Sequence, residues 1–280
     1  MVVEQAELEV AGRRRTYRVV RPGAPAPTAV LVLALHGSNQ SGAALRRASG
    51  GTFDALAAQH GAVVVYPDSH GALWNDARAG IPGRARAEGV DDVAFLTAVL
   101  DRVADQHGLD DRRAVVAGYS NGGQMALRLL FQTTGRLRGV VLFGATLPTP
   151  DSLLVDDEGD RVPVTLVHGT KDPNVPFEGG TASLFGFRPR GDVRSAPDSA
   201  HLLAQRNGLD VEPQVRDLPE RSGGTSVSVT SYGGAAPVTL YAVQNGGHVV
   251  PDHRKRAFRL LGHTTPVIDG GELVWALTEA

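Results

Sequence analysis

A short apolar run at residues 114–117 leads directly into Gly118-Tyr119-Ser120-Asn121-Gly122, and residues 124–131 then carry apolar side chains at helical spacing. The run is bounded by the charged segment Asp110-Asp111-Arg112-Arg113 and reads as a buried strand. The chain must therefore pass from strand to helix through a G-x-S-x-G turn, which constrains its fold more than any other feature. The glycines relieve crowding on both sides of a strained turn, and the turn lifts the Ser120 hydroxyl above the sheet edge. The Asn121 N–H then lies at a helix N-terminus, facing the same space. The pentapeptide alone is weak evidence in a chain with 34 glycines. The flanking strand and helix are what give it meaning.

The remaining elements fit around this unit. Residues 6–21 alternate as two strands joined at Ala11-Gly12-Arg13, and residues 29–35 read as a central strand covered on both faces. A helical pattern spans 43–60, a buried strand 61–66, and an amphipathic helix 91–107 with Asp91 or Asp92 as N-cap and Gly108 just past its end. Strands follow at 139–144 and 162–168, an irregular Gly- and Phe-rich insertion at 179–191, and a helix at 197–207. Strands at 225–232 and 238–243 and a helix at 272–279 close the chain. Strands alternating with helices predict a mostly parallel sheet with right-handed crossovers, an α/β fold. No repeat or linker interrupts residues 1–280, which read as a single domain.

A formal net charge of −2 argues against nucleic acid or a polybasic membrane contact as partner. The basic triplet Arg13-Arg14-Arg15 reads as a solvated turn between edge strands. The chain has no cysteine, which excludes disulfides and thiolate metal sites. Acids at Glu4, Glu7 and Glu9 occupy positions where a signal peptide needs an apolar core, and the longest apolar run is too short to span a bilayer. A cytoplasmic protein is the expectation.

A serine hydroxyl becomes a nucleophile when a positioned base takes its proton and a third group orients the base. In a parallel α/β sheet these partners belong in loops at the carboxyl ends of strands. Asp172 follows the strand ending at His168, and His248 follows the strand ending near Val243, in an exposed Gly246-Gly247 loop. An arbitrary histidine among nine is more often a surface or core residue, but this one completes the order Ser120, Asp172, His248. His168 reads as structural, His36 as a loop-ordering residue, and Asp156, Asp157 and Asp160 as a solvated turn without calcium-loop spacing. Asn121 supplies one oxyanion donor and the turn at Gly37 points the Ser38 N–H at the same place. Trp74 reads either as a wall of the substrate pocket or as a buried structural residue.

These residues sit within His36-Gly-x-x-Gln40, Trp74-Asn75-Asp76, Val90-Asp-Asp-Val93, Gly118-Tyr-Ser-Asn-Gly-Gly123, His168-Gly-x-x-Asp172, Gly247-His248 and Asp269 followed by Glu272-Leu-Val-Trp275. In this order they resemble the polyhydroxybutyrate depolymerase and feruloyl/acetylxylan esterase-like branch of the α/β-hydrolases. The resemblance implies an α/β-hydrolase fold and a serine esterase without metal or other cofactor, with Ser120, Asp172 and His248 as catalytic residues. It likewise implies Ser38 and Asn121 as oxyanion donors. Several secreted relatives carry Cys where this chain has Ser38, and Thr-Trp-Pro where it has Val249-Val250-Pro251. These departures favour a small ester at least as much as a short polyester or phenolic ester. A thioesterase, lactonase or acyltransferase would use the same residues. A non-catalytic binding protein would be expected to have lost one of them.

Overall fold

The computed structural model describes residues 1–79, 83–222, 224–253 and 259–279. The chain opens with the hairpin β1 (Val2–Val10) and β2 (Arg13–Arg21), then β3 (Leu31–Leu35). Helices α1 (Gly42–Ala48) and α2 (Thr52–His60) replace the single helix expected over 43–60. Ser49-Gly50-Gly51 separates them, with both glycines in the left-handed region, so the helical hydrogen-bond ladder cannot continue. Strand β4 (Val63–Pro67), the short α3 (Arg84–Ala87) and α4 (Asp92–His107) follow, and α4 is capped by Asp91 and ended by Gly108 as the sequence predicts. Next come β5 (Ala114–Tyr119), α5 (Asn121–Gln132), β6 (Leu137–Phe143), β7 (Val164–Gly169), β8 (Gly180–Thr181) and β9 (Asp192–Val193). The chain closes with α6 (Ala196–Arg206), β10 (Gln214–Asp217), β11 (Ser226–Tyr232), β12 (Val238–Gln244) and α7 (Gly270–Ala276). Strand β10, exposed along its whole length, carries too little hydrophobic pattern to be read from sequence.

Ten strands form one sheet in the order β1-β2-β4-β3-β5-β6-β7-β12-β11-β10. From β4 to β12 the pairings are parallel, and the strands flanking them on both sides are antiparallel. This mostly parallel sheet covered by helices is the α/β-hydrolase architecture. Strand alternation sends Leu31, Leu33 and Leu35 into a core with α4, α5 and α6, while Val32 and Ala34 face a second core built on α2 and α7. Strand order reverses at β3, whose neighbours are β4 on one side and β5 on the other. That reversal opens a crevice at the carboxyl ends of β3 and β5, where open α/β sheets bind ligands.

One surface expectation fails. Arg15 is not part of a solvated turn: it is buried, pairs with Asp92 at 2.7 Å and lies 4.0 Å over the Phe95 ring. Its alternate position on β2 turns it towards the sheet's helical face, where Asp92 and Phe95 await a cation.

Candidate active site

The strand-to-helix turn between β5 and α5 is as tight as its sequence requires. Ser120 has φ 55° and ψ −116°, a conformation that costs a non-glycine residue about 1–3 kcal/mol. Its N–H donates to the Phe143 carbonyl at 2.9 Å, so the strain is held by the neighbouring strand. A Cβ on Gly122 would lie 2.2 Å from the Leu35 carbonyl oxygen, so only glycine lets α5 start this close to β3. The loop after β3 reaches the serine as well: a Cβ on Gly37 would sit 3.3 Å from the Ser120 Cβ.

Two residues brace that loop. His36 is buried and accepts the Ser69 N–H at Nε2 (3.0 Å), so its proton lies on Nδ1, 2.8 Å from the Gly37 carbonyl. Burial pushes the His36 pKa down despite the Gly37 bond and the charges of Asp68 and Asp92, which keeps the ring neutral. Trp74 is also buried and does not line the cleft, so the pocket-wall reading gives way to the structural one. A buried indole needs an acceptor for its N–H, and Trp74 Nε1 donates to the His36 carbonyl at 2.9 Å. Its backbone N–H donates to Asn121 Oδ1 at 2.9 Å, tying the two proposed oxyanion segments together. Asn121 Nδ2 donates in turn to the fully buried Asp76, at 2.5 Å. Asp76 was visible in sequence only as part of the Trp-Asn-Asp run.

Asp172 and His248 arrive from β7 and β12, adjacent parallel strands. His248 Nδ1 lies 2.7 Å from Asp172 Oδ2, and both residues are buried. The other carboxylate oxygen accepts the N–H groups of Asn174 and Val175, each at 2.8 Å. Burial alone would raise the Asp172 pKa; the His248 charge and hydrogen bond, His168 and the Val175 N–H outweigh it and hold the carboxyl below its usual range. His168, read from sequence as structural, is buried, with Nε2 2.8 Å from the Val175 carbonyl and 3.5 Å from Asp172 Oδ2. The imidazole of His248 packs over Tyr119, whose hydroxyl donates to the His248 carbonyl at 2.9 Å. Gly144 (φ 58°) leaves room beneath it, since a Cβ there would fall 2.7 Å from His248 Nδ1. Nothing short of the packed structure reveals that glycine's role.

Ser38, Ser120 and His248 face one cleft of about 160 Å³. Strand β8, within the segment 179–191, pairs with β9 just after it, and Ala182 to Phe185 and Arg190 line the cleft. Among the described residues no group of three or more His, Asp or Glu side chains converges as a metal cage. Among them, too, no helix is long and apolar enough to cross a membrane.

Residues 74–206 match the phospholipase/carboxylesterase family. The chain is 30% identical to the putative esterase NocK of Nocardia uniformis subsp. tsuyamanensis over 257 residues, 88% of this chain and 73% of that protein. It is an α/β-hydrolase esterase. It is also 25% identical to feruloyl esterase C of Emericella nidulans over 68% of this chain, though that match spans 58% of the fungal enzyme. The fold is shared with the acetyl xylan esterase of Aspergillus awamori at a TM-score of 0.63 and 16% identity, covering 89% of this chain and 96% of the other. The esterase keeps the expected fold; of its candidate residues Ser38, Ser120 and His248 line the cleft, whereas Asp172, Asn121 and Trp74 do not.

Proposed function

We propose that this esterase hydrolyses a small carboxylic ester by two-step acyl transfer through Ser120, His248 and Asp172. The observation that carries the reading is the 2.7 Å bond from His248 Nδ1 to Asp172 Oδ2, with the ring sharing a cleft with Ser120 on its strained turn. That bond leaves Nε2 as the free basic nitrogen of His248. Ser120 Oγ attacks the ester carbonyl carbon while Nε2 takes its proton. The carbonyl π electrons move onto oxygen, where the Ser38 and Asn121 N–H groups stabilise the charge. As the tetrahedral intermediate collapses, the C–O bond to the alcohol breaks and Nε2 returns the proton to the leaving oxygen. Water then adds to the acyl-enzyme, losing its proton to Nε2, and the acid leaves as Ser120 is reprotonated.

Asp172, held ionised by its partners, keeps the imidazole oriented and stabilises the imidazolium formed in each step. A cleft of about 160 Å³ is small beside the roughly 300–1,000 Å³ of drug-sized ligand sites, which favours a short acyl group over a feruloyl group. Intact mass after fluorophosphonate treatment, alongside turnover of p-nitrophenyl acetate, p-nitrophenyl butyrate, a butyryl thioester and methyl ferulate, tests the reading. A single adduct is expected in the wild type and none in Ser120→Ala, whose turnover should fall by about 10⁴-fold or more. Undiminished hydrolysis by Ser120→Ala would refute the assignment, and a preference for methyl ferulate would refute the short acyl group.

A further inference from the structure

The cleft that holds Ser120 and His248 is also lined by Arg78 and Arg190, and the charges around them are not balanced. Asp76 is buried and pairs with Arg78 at 2.6 Å and with Arg86 at 3.6 Å, so one carboxylate already serves two guanidinium groups. Arg190 adds a third. Among the described residues no carboxylate lies within ion-pair distance of it, and residues 80–82, 223 and 254–258 contain no Asp or Glu. Its Nη1 is shielded from water and has no hydrogen-bond partner among the described residues. Burial together with the like charges of Arg78 and Arg188 pushes the Arg190 pKa down, outweighing Asp76.

The backbone of Arg190 is nevertheless pinned. Its N–H donates to the Ala182 carbonyl at 2.7 Å, and its own carbonyl accepts from Arg78 Nη1 at 3.1 Å. Arg78 is in turn engaged by Asp76, through Nη2 at 2.6 Å and Nε at 3.4 Å. Arg78 thus acts as a brace with its donors largely used, whereas Arg190 brings a surplus charge to the same cleft as Ser120 and His248. Arg190 is half-buried, so water offsets part of its charge, and an anion in the cleft would complete the part that burial leaves unmet.

We propose that the substrate ester carries a carboxylate, bound by Arg190 while the ester carbonyl lies at Ser120. The inference rests on the esterase reading above and adds a substrate class to it. A carboxylate suits the site because a planar guanidinium matches its two oxygens, and a single surplus charge matches a monoanion in a cleft this small.

Two pairs of esters place the charge on either side of the scissile bond: monomethyl glutarate against methyl pentanoate, and acetoxyacetate against ethyl acetate. Followed by pH-stat, at least one pair should show kcat/KM for the anion about tenfold or more above its neutral partner. That ratio should fall at least tenfold in Arg190→Gln, recover in part in Arg190→Lys, and shrink as salt is added. Ratios near or below one for both pairs, or equal losses on anion and neutral ester in Arg190→Gln, would overturn the proposal. Calorimetric binding of non-hydrolysable ketone analogues, 5-oxoheptanoate against 3-heptanone, to the wild type reads the inference without turnover. Tighter binding of the anion, lost in Arg190→Gln, supports it even if the serine assignment fails. Equal affinities overturn it even if Ser120 proves to be the nucleophile.

Discussion

The floor of the cleft and its outer wall are built on opposite principles. The floor consists of short connections at the ends of β3, β5, β7 and β12, each residue fixed from several sides. Ser120 is held by Phe143, Asp172 by two backbone N–H groups and His248, and Asn121 by Trp74 and Asp76. The wall over residues 182–190 hangs from two-residue strands and a bridge between Leu184 and Phe187, and it leaves Phe185 and Phe187 exposed. Preorganised groups pay for themselves where charge develops in a reaction, whereas a specificity surface needs only to fit one substrate. On the proposed reading, chemistry therefore belongs to the floor and selectivity to the wall, and substitutions in the two regions should fail in different ways.

The largest effect after loss of the serine is expected from Asp172→Asn. Asparagine retains an acceptor for the Asn174 and Val175 N–H groups but removes the charge that steadies His248. We expect kcat for any ester substrate to fall about 10³–10⁴-fold with the fold intact by circular dichroism. A loss under tenfold would show that another group orients the imidazole. Trp74→Phe should do less, and in a telling way. It keeps an aromatic core residue but leaves the His36 carbonyl without its indole donor, at about 1–3 kcal/mol of stability by denaturant titration. Because Trp74 bonds both proposed oxyanion segments from behind, kcat should drop by about tenfold for short and long acyl chains alike. A change confined to KM and dependent on acyl length would return Trp74 to the wall.

This contrast also explains what could be read from the amino-acid sequence. The strands and helices of the parallel sheet were legible because residues such as 31–35 are buried on both faces and leave an unbroken apolar run. Ser120, Asp172 and His248 could be proposed from sequence because a Ser-His-Asp triad demands particular residue types after particular strands, and the structure joins Asp172 to His248 at the ends of β7 and β12. Trp74 was ambiguous because an indole serves equally as a pocket wall or as a buried donor, and only its partners decide. Gly144, Asp76 and the brace from Arg78 to the Arg190 carbonyl depend on contacts between residues far apart in the chain, which no local pattern encodes. The break at Gly50-Gly51 was carried by two adjacent glycines, a signal outweighed by the helical spacing around it. The burial of Arg15 is not legible in a basic triplet whose Arg14 is exposed and whose Arg13 pairs with Glu88 at the surface, because it depends on Asp92 across the fold.

The dense floor should also contribute to the acid response of the protein, beside His107, Glu88 and Asp111 elsewhere, which shift in the same direction. His36 and His168 both have pKa values lowered by burial, so the unfolded chain binds more protons than the folded one as pH falls below about 6.5. Stability is therefore lost on going down through that pH. Asp172 acts in the same direction at lower pH: its depressed folded pKa contributes stability above the usual carboxylate range, lost as pH falls through the folded value. The melting temperature should decline from pH 7.5 to pH 5 and more steeply below pH 4. His36→Gln should flatten the upper limb and Asp172→Asn the lower one. Unchanged slopes in both variants would mean that the pH response arises outside the floor.

The smallest effect is expected on the wall. Phe187 is 77% exposed and does not line the cleft, so its ring buries little surface on folding. Phe187→Ser should alter stability by no more than about 0.5 kcal/mol, and kcat for a short-chain ester by less than about twofold. The neighbouring Phe185, which does border the cleft, separates the two regions more sharply. Phe185→Ser should change relative kcat/KM across a series of acyl lengths while leaving the rate of fluorophosphonate labelling within about threefold, because the groups proposed to activate Ser120 are anchored to the sheet. If labelling slowed by an order of magnitude or more, the wall would be positioning the catalytic groups as well as selecting the substrate, and the division between floor and wall would not hold.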